Sequence, residues 1–135
     1  MKANILVIED HPDVLQTIVF LLQRAGCNVV AAQTGAEAIQ LARDGDFDLI
    51  TLDIDLPDMS GFEVCRSLKQ DSALRDTPVV FVSGRICKAD IEHGLSLGAV
   101  DYIAKPFDAL TFVSRVLSHV KAKSENQDSS ACLPK

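Results

Sequence analysis

Several features that would indicate other classes of protein are missing from this 135-residue sequence. No apolar run approaches the roughly 18 residues that a membrane-spanning helix needs. The apolar stretch Ile5 to Ile8 is also too short for the core of a signal peptide. The sequence therefore predicts a cytoplasmic protein that does not act at a membrane.

The cysteines are too scattered to suggest a shared site. No Cys-x-x-Cys pair occurs, and no histidine lies at metal-ligand spacing, which argues against a zinc site, a redox motif or a disulfide framework. We expect buried thiols in a reducing compartment, with Cys132 exposed near the C-terminus. The four positions are Cys27, Cys65, Cys87 and Cys132.

The first half of the chain also has few basic residues. Residues 1–58 hold ten acidic and three basic residues, whereas residues 59–135 hold nine acidic and ten basic residues. Together they give the net charge of −6. Nucleic-acid backbones require clustered Lys and Arg, so the acidic half is not a nucleic-acid-binding surface. The hydrophobic content of 47% fits one globular domain with its own core.

Five short apolar runs, rich in β-branched residues, recur with room for a helix between each pair. Continuous apolarity without strict alternation predicts strands buried on both faces, and hence a parallel sheet in an α/β domain with right-handed crossovers. The runs are Ile5–Ile8, Val29–Ala32, Leu49–Leu52, Val79–Val82 and Val100–Ala104.

The intervening segments carry helix signals. Pro12 sits in a first helical turn, and the segments 34–37 and 60–63 match the capping box, in which a hydroxyl and a carboxylate cap backbone N–H groups reciprocally. A fourth helix is expected over about 88–97, and a fifth after Asp108 through Val120. Residues 123–135 are polar and aperiodic, so we predict a domain over 1–122 followed by a mobile tail or the stump of a linker.

Chemistry is expected where the strands end. Glu9 and Asp10 follow the first strand, Asp53 and Asp55 the third, Ser83 the fourth, and Lys105 the fifth. In a doubly wound sheet ligands bind beyond the carboxyl ends of the strands, so neighbouring first and third strands would bring the carboxylates together. Such crowding requires a cation or raised pKa values, and hard oxygen ligands beside a lone Lys favour Mg²⁺. Carboxylate, metal, Lys and hydroxyl together suit phosphoryl transfer.

These residues resemble the receiver domain of bacterial two-component response regulators. The likeness covers about residues 4–121 and rests on five motif positions in order: Glu9-Asp10, Asp53 within LDIDLPDMSG, Ser83 after its strand, and Tyr102 and Lys105-Pro106 within GAVDYIAKPF. It implies a flavodoxin-like doubly wound fold, with five parallel strands in the order 2-1-3-4-5 and helices on both faces.

The resemblance also implies a role for each residue. Asp53 would accept a phosphoryl group, with Lys105 pairing with a phosphate oxygen across a cis bond to Pro106. Mg²⁺ would be bound by Asp10 and Asp53, by Glu9 through water, and by the backbone carbonyl of Asp55. Ser83 would swing toward the phosphate and Tyr102 would follow it inward, switching the face formed by the fourth helix, fifth strand and fifth helix.

The expected partners follow from the same resemblance. A sensor histidine kinase or a histidine phosphotransfer protein would supply the phosphoryl group, and the output would be a downstream protein or a covalently linked domain. The domain itself would contact no nucleic acid, could form a homodimer on phosphorylation, and would be no enzyme beyond its own phosphorylation and dephosphorylation.

Two positions depart from the commonest pattern of the family. The second residue after Asp53 is acidic, Asp55, and the second after Ser83 is Arg85. The resemblance puts both at the mouth of the phosphorylation site, where they influence hydrolysis of the phosphoryl group. We expect them to face each other as a partly exposed ion pair that orders or screens the attacking water.

Two other functions compete with this interpretation. The Asp53-x-Asp55 pattern with Ser83 and Lys105 also resembles the haloacid dehalogenase phosphohydrolases, although there the pattern usually closes the first strand and is accompanied by a cap for which this chain has no room. A receiver-like docking module that is never phosphorylated is the second alternative, and the presence of all the core residues argues against it.

Overall fold

The computed structural model describes residues 2–132, and their side chains as far as Val120. Strands and helices alternate along the whole of this part of the chain. They are β1 (Asn4–Ile8), α1 (Pro12–Arg24), β2 (Asn28–Ala32), α2 (Gly35–Asp44), β3 (Leu49–Leu52), α3 (Gly61–Gln70), β4 (Val79–Ser83), α4 (Lys88–Ser96), β5 (Asp101–Ala104) and α5 (Ala109–Cys132).

The strands form one parallel sheet in the order β2-β1-β3-β4-β5. In the middle of the sheet Ile8 pairs with Leu52, so β1 and β3 end side by side. The predicted fold class and strand order are confirmed. The direction in which strands are added reverses between β1 and β3, and this creates the switch point at which doubly wound sheets bind ligands.

Successive strand residues point to opposite faces of the sheet, and each face has its own hydrophobic core. Leu6, Ile50 and Phe81 pack toward α2, α3 and α4. Ile5, Leu49 and Val80 pack toward α1 and α5, where Phe112 is completely buried. Helices therefore cover both faces of the central strands.

Burial on both faces holds for β1, β3 and β4 but is wrong for the edge strands. In β2 only Ala32 is fully buried, and Val30 keeps 40% of its surface exposed. The last strand begins one residue later than predicted, at Asp101. Val100 precedes it and is exposed. An edge strand has a neighbour on one side alone, so its β-branched residues reflect strand propensity more than burial.

The helix starts agree with the sequence signals, with one difference at the caps. Thr34 accepts the N–H of Glu37 at 3.1 Å, as predicted, but the Glu37 carboxylate accepts from the N–H of Gln33 rather than Thr34. Ser60 caps the N–H of Phe62 at 3.1 Å. Each hydroxyl therefore caps its helix, while neither reciprocal carboxylate bond forms as the motif predicts.

The backbone of α5 continues to Cys132, beyond the predicted end near Val120. Lys, Ala, Glu and Gln are good helix formers, and no proline interrupts this stretch before Pro134. The division into a domain over 1–122 and a segment over 123–135 stays a prediction. No helix among the described residues is long and apolar enough to cross a membrane.

The expectation of buried thiols holds for two cysteines. Cys27 and Cys65 are buried, and burial raises the pKa of each thiol. Cys87 is exposed, because it lies at the N-cap of α4, outside the apolar face of that helix. The side chain of Cys132 lies outside the described residues.

Candidate functional site

The acidic residues that follow β1 and β3 lie together at the carboxyl end of the sheet. Asp53 donates its backbone N–H to the carbonyl of Ile8 at 3.0 Å, which extends the β1–β3 pairing beyond the strands. Carboxylate oxygens of Glu9, Asp10 and Asp53 lie within 4.8 Å of one another. Glu9 and Asp53 are buried and Asp10 is half-buried, so water screens this cluster poorly.

Lys105, just beyond β5, supplies a positive charge to this cluster. Its Nζ lies 2.5 Å from Oε1 of Glu9 and 3.2 Å from Oδ2 of Asp53. The peptide bond from Lys105 to Pro106 is cis, as the family resemblance implies. The other oxygen of Asp53, Oδ1, accepts the N–H of Ile54 at 2.7 Å. Asp53 is therefore held from two directions.

The electrostatics of the cluster show in two pKa shifts. Burial raises the pKa of Glu9, the charge of Asp53 adds to this effect, and the hydrogen bond from Lys105 offsets part of it. Burial alone would lower the pKa of Lys105, but its hydrogen bond to Glu9 and the charges of Asp53 and Glu9 raise it instead. The lysine is therefore protonated, and its one positive charge lies among three carboxyl groups.

This set of donors fits a hard divalent cation. Three carboxylates offer oxygen ligands within 4.8 Å of one another, and one lysine neutralises only part of their charge. Mg²⁺ prefers oxygen ligands and needs only one or two carboxylates besides water and phosphate oxygens. Glu9, Asp10 and Asp53 could hold such an ion without rearrangement of the sheet.

Ser83 and Tyr102 both contact Arg85, the second residue after β4. Ser83 is fully buried, and its Oγ accepts the N–H of Arg85 at 3.1 Å. The Tyr102 hydroxyl donates to the Arg85 carbonyl oxygen, and its ring packs 5.9 Å from that of Phe81. Burial raises the pKa of Tyr102. The Arg85 backbone thus links the two residues that the sequence predicts to form the switch.

Asp55 and Arg85 form the predicted ion pair. Nη2 of Arg85 lies 2.7 Å from Oδ1 of Asp55, and Nε lies 3.0 Å from the same oxygen. About half of each side chain is exposed. The Asp55 carboxylate therefore faces Arg85 and stands outside the Glu9, Asp10 and Asp53 cluster, which leaves its backbone carbonyl as the predicted metal ligand.

Sequence reasoning missed several contacts around this site. Asp58 accepts the backbone N–H groups of Gly35 and Ala36, and a Cβ atom on Gly61 would lie 2.1 Å from the carbonyl oxygen of Asp53. His119 is half-buried and lies 3.1 Å from Asp101. No local pattern indicates the Asp58 or His119 contacts, because the partners are about 20 residues away in the chain.

Comparison with known proteins agrees with this geometry. The family model that describes the response regulator receiver domain matches residues 5–117. The transcriptional regulatory protein YvrH of Bacillus subtilis is 34% identical over 96% of this chain and 54% of its own length. The cell cycle response regulator CtrA of Brucella ovis is 37% identical over 87% of this chain and 50% of its own length. The chain thus spans about half the length of these curated relatives.

Solved structures show the same likeness. The non-phosphorylated HemR receiver domain from Leptospira biflexa superposes with a TM-score of 0.82 and 31% sequence identity, covering 88% of this chain and 94% of that one. Sequence, fold and the arrangement of the strand-end residues all agree. The chain therefore belongs to the response regulator receiver domain family of two-component signalling.

Proposed function

We propose that Asp53 is the phosphoacceptor of a cytoplasmic phosphorelay and receives its phosphoryl group from a histidine kinase or a histidine phosphotransfer protein. The observation that carries the proposal is the position of Lys105, whose ammonium contacts both Asp53 and Glu9 at the carboxyl end of the sheet. A lysine so placed can donate to a phosphoryl oxygen bonded to Asp53, which is the positive charge that phosphoryl transfer requires.

In the transfer step an oxygen of the Asp53 carboxylate attacks phosphorus, and the bond between phosphorus and the donor imidazole nitrogen breaks. The electron pair of that bond stays on the nitrogen, and a proton on the other ring nitrogen lets the imidazole leave as a neutral group. Lys105 offsets the charge of the phosphoryl oxygens. No general base is needed, because the carboxylate is the nucleophile.

Glu9, Asp10 and Asp53, with the backbone carbonyl of Asp55, are the residues that would hold Mg²⁺. Bound there, the ion would neutralise phosphoryl oxygens that otherwise approach three carboxylates. The proposal is supported by the excess negative charge of the cluster, which Lys105 alone leaves uncompensated.

The donor protein has a suitable place to dock. A surface cavity of about 430 Å³ lies beside Lys105 and is lined by Asp13, Val14, Thr17, Pro106 and Phe107. Its walls are mainly apolar, and Lys105, which lines it, also contacts Asp53. A donor that covered this cavity would meet the lysine of the site and could exclude water from it during transfer.

Phosphorylation would act through Ser83 and Tyr102. The Ser83 oxygen accepts a hydrogen bond from Arg85, and the Ser83 hydroxyl is also a hydrogen-bond partner of Tyr102, so turning its proton toward a phosphoryl oxygen would change its contact with Tyr102. Because the Arg85 carbonyl also accepts from Tyr102, a shift of Ser83 would bias the β5 side of the sheet and the face formed by α4, β5 and α5. That face would contact a downstream protein, a linked output domain or a second copy.

The Asp55–Arg85 pair would control access of water to the phosphoryl group. The two side chains span from the loop after β3 to the loop after β4, the two loops that flank Asp53 and Ser83. A paired arginine and aspartate there would order or screen the attacking water. This assigns the pair a kinetic role, since a half-exposed ion pair contributes little to stability.

Intact mass spectrometry tests the phosphoacceptor proposal. The parent protein is incubated with an acyl phosphate and MgCl₂, beside Asp53→Asn and a third sample with chelator. We expect one phosphoryl adduct on the parent with Mg²⁺ and none in the other two samples. An adduct on Asp53→Asn would refute the assignment of Asp53, and repeated hydrolysis of a phosphate monoester by the parent would favour a phosphohydrolase instead.

A further inference from the structure

Asp58, in the loop between β3 and α3, binds the N-terminus of a different helix. Its Oδ1 accepts the N–H of Gly35 at 2.7 Å, and its Oδ2 accepts the N–H of Ala36 at 2.9 Å. These are the first two residues of α2, whose N–H groups have no partner within the helix. The two hydrogen bonds lower the pKa of Asp58.

Helix α2 has a local cap as well, so Asp58 is not needed to start the helix. Thr34 accepts the N–H of Glu37 with its side chain, and its backbone carbonyl accepts the N–H of Ala38 at 3.0 Å. The first two donors go to Asp58 and the next two to Thr34. Two residues therefore cap the same helix: Thr34, which directly precedes α2, and Asp58, which lies in the loop after Asp53.

A second contact joins this loop to α2. A Cβ atom on Gly35 would lie 2.4 Å from Cγ and 2.7 Å from Sδ of Met59, so the Met59 side chain lies directly on the glycine backbone. Any larger residue at position 35 would push Met59 away. Asp58 and Met59 together fix the loop to the first turn of α2.

The loop transmits this attachment to the phosphoacceptor because it is closed on itself. Asp55 and Ser60 form an isolated antiparallel bridge, and the N–H of Gly61 donates to the carbonyl of Ile54 at 2.7 Å. Gly61 also lies against the Asp53 carbonyl too closely for a Cβ atom. A shift at Asp58 must therefore move Asp55 and the backbone of Asp53 as well.

We propose that Asp58 is a positioning residue for the phosphorylation site, which it serves by anchoring the β3–α3 loop to α2. The inference rests on the proposed function of Asp53 and of the acidic cluster as a Mg²⁺ site. It assigns the α2 N-terminus a part in the reaction, because the carboxylate of Asp58 fixes the loop whose Asp55 carbonyl is the predicted metal ligand.

The matched control is Thr34→Ala, which removes the other side-chain cap of α2 without touching the loop. Asp58→Ala leaves two backbone N–H groups of α2 without a side-chain partner, and Thr34→Ala leaves one. Titration calorimetry of Mg²⁺ binding should show about tenfold weaker binding for Asp58→Ala, in line with the effect of losing a residue that orients a ligand. Thr34→Ala should bind Mg²⁺ as the parent does.

Amide hydrogen exchange without metal provides a second measurement. Residues 54–60 should exchange faster in Asp58→Ala than in Thr34→Ala, although both variants loosen α2. Asp58→Asn retains an acceptor oxygen and should fall between Asp58→Ala and the parent, which keeps the test available if the alanine variant fails to fold.

The proposal is overturned if Asp58→Ala and Thr34→Ala weaken Mg²⁺ binding equally, or if Asp58 variants leave both Mg²⁺ binding and loop exchange unchanged. Failure of the proposed function would look different. In that case the parent itself would bind no Mg²⁺ or take up no phosphoryl group, while loop exchange in the Asp58 variants would still report on the anchor.

Discussion

At the scale of single residues, Lys105 explains why two buried acids are tolerated beside Asp10. Its Nζ touches Glu9 and Asp53, and no other cation among the described residues is hydrogen-bonded to either carboxylate. One positive charge cannot compensate three carboxylates in a poorly solvated site. The three acids could therefore hold a divalent cation, which would offset the charge that Lys105 leaves uncompensated.

Asp10→Asn should stabilise the metal-free protein by about 1 kcal/mol, because the substitution removes one of three crowded charges. The same change should weaken Mg²⁺ binding, since it removes a carboxylate ligand. Denaturant unfolding in chelator measures the first effect and titration calorimetry the second. If Asp10→Asn is less stable than the parent in chelator, charge crowding does not dominate this site.

Asp55→Ala and Arg85→Ala should each shorten the lifetime of the phosphorylated protein by severalfold, because either change opens the ion pair over the mouth of the site. The phosphorylated double variant should have a lifetime no shorter than that of either single variant, since both substitutions break the same contact. Loss of radiolabelled phosphate over time gives the rates. Unchanged lifetimes in both single variants would show that the pair does not control water.

Residues were predictable where a strand end placed them. Glu9, Asp53, Ser83 and Lys105 follow apolar runs, so parallel strand order alone brings them together. Asp58 escaped sequence reasoning, because its partners Gly35 and Ala36 lie 23 and 22 residues away and their spacing follows from helix packing. An exposed loop acid carries no sequence sign that it caps a distant helix.

At the scale of elements, the passage from β3 to α3 depends on the absence of a side chain at Gly61. A Cβ atom there would lie 2.1 Å from the carbonyl oxygen of Asp53 and 2.8 Å from Cα of Ile54. Both are backbone atoms, which cannot turn away as a flexible side chain can. The helix therefore starts as close to Asp53 as backbone contact allows.

Gly61→Ala should lower the free energy of unfolding by about 2 kcal/mol or more, because the backbone around Asp53 must shift. Gly84→Ala is the matched control, since a Cβ atom at that exposed position meets nothing within 4 Å. Its effect should stay within about 0.5 kcal/mol. Urea unfolding of the two variants compares them directly, and equal stabilities would contradict the close approach at Gly61.

Strand β5 is joined to α5 by a charged cluster around Asp101. Its carboxylate accepts hydrogen bonds from Arg115, with Nε at 3.0 Å, and contacts His119 at 3.1 Å. Burial alone would raise the pKa of Asp101, but the bonds to Arg115 and His119 lower it below the ordinary value of 3.8. The folded state thus favours the ionised carboxylate.

Asp101→Asn should therefore be less stable than the parent by about 1 kcal/mol near neutral pH. Because folding lowers the pKa of Asp101, its ionised carboxylate stabilises the folded state at pH values above the ordinary pKa of 3.8. This stabilisation is lost as the pH falls through 3.8 and below. The difference between parent and variant should then shrink between about pH 5 and pH 2. Urea unfolding across this range measures it, and a difference that stays constant or grows on acidification would contradict the assignment.

Elements were predictable from the sequence to within a few residues, except at the edges of the sheet and the end of α5. The runs at Leu49 and Val79 predicted buried strands because two neighbours and helices on both faces require continuous apolarity. Val30 and Val100 looked the same in sequence and are exposed. Which strand lies at an edge is a property of the sheet, so a single run cannot report it.

At the scale of the whole molecule, the sheet separates packing from chemistry. Two hydrophobic cores lie on its two faces and hold the central strands rigid. The acids, Lys105 and Ser83 are collected at one end, from strands far apart in the chain. Loops at the carboxyl end of such a sheet can hold a crowded charge cluster, and under the proposed function a change at Asp53 would reach α4, β5 and α5 through Ser83 and Arg85.

The most direct measurement identifies the residue that takes the phosphoryl group. After incubation with an acyl phosphate and Mg²⁺, borohydride reduces an aspartyl phosphate to an alcohol, releases the phosphate and leaves homoserine in the chain. Peptide mass mapping should place homoserine at position 53 in the parent and nowhere in Asp53→Asn. Homoserine at another acidic residue, or none in a parent that binds Mg²⁺, would contradict the assignment of Asp53 as the phosphoacceptor.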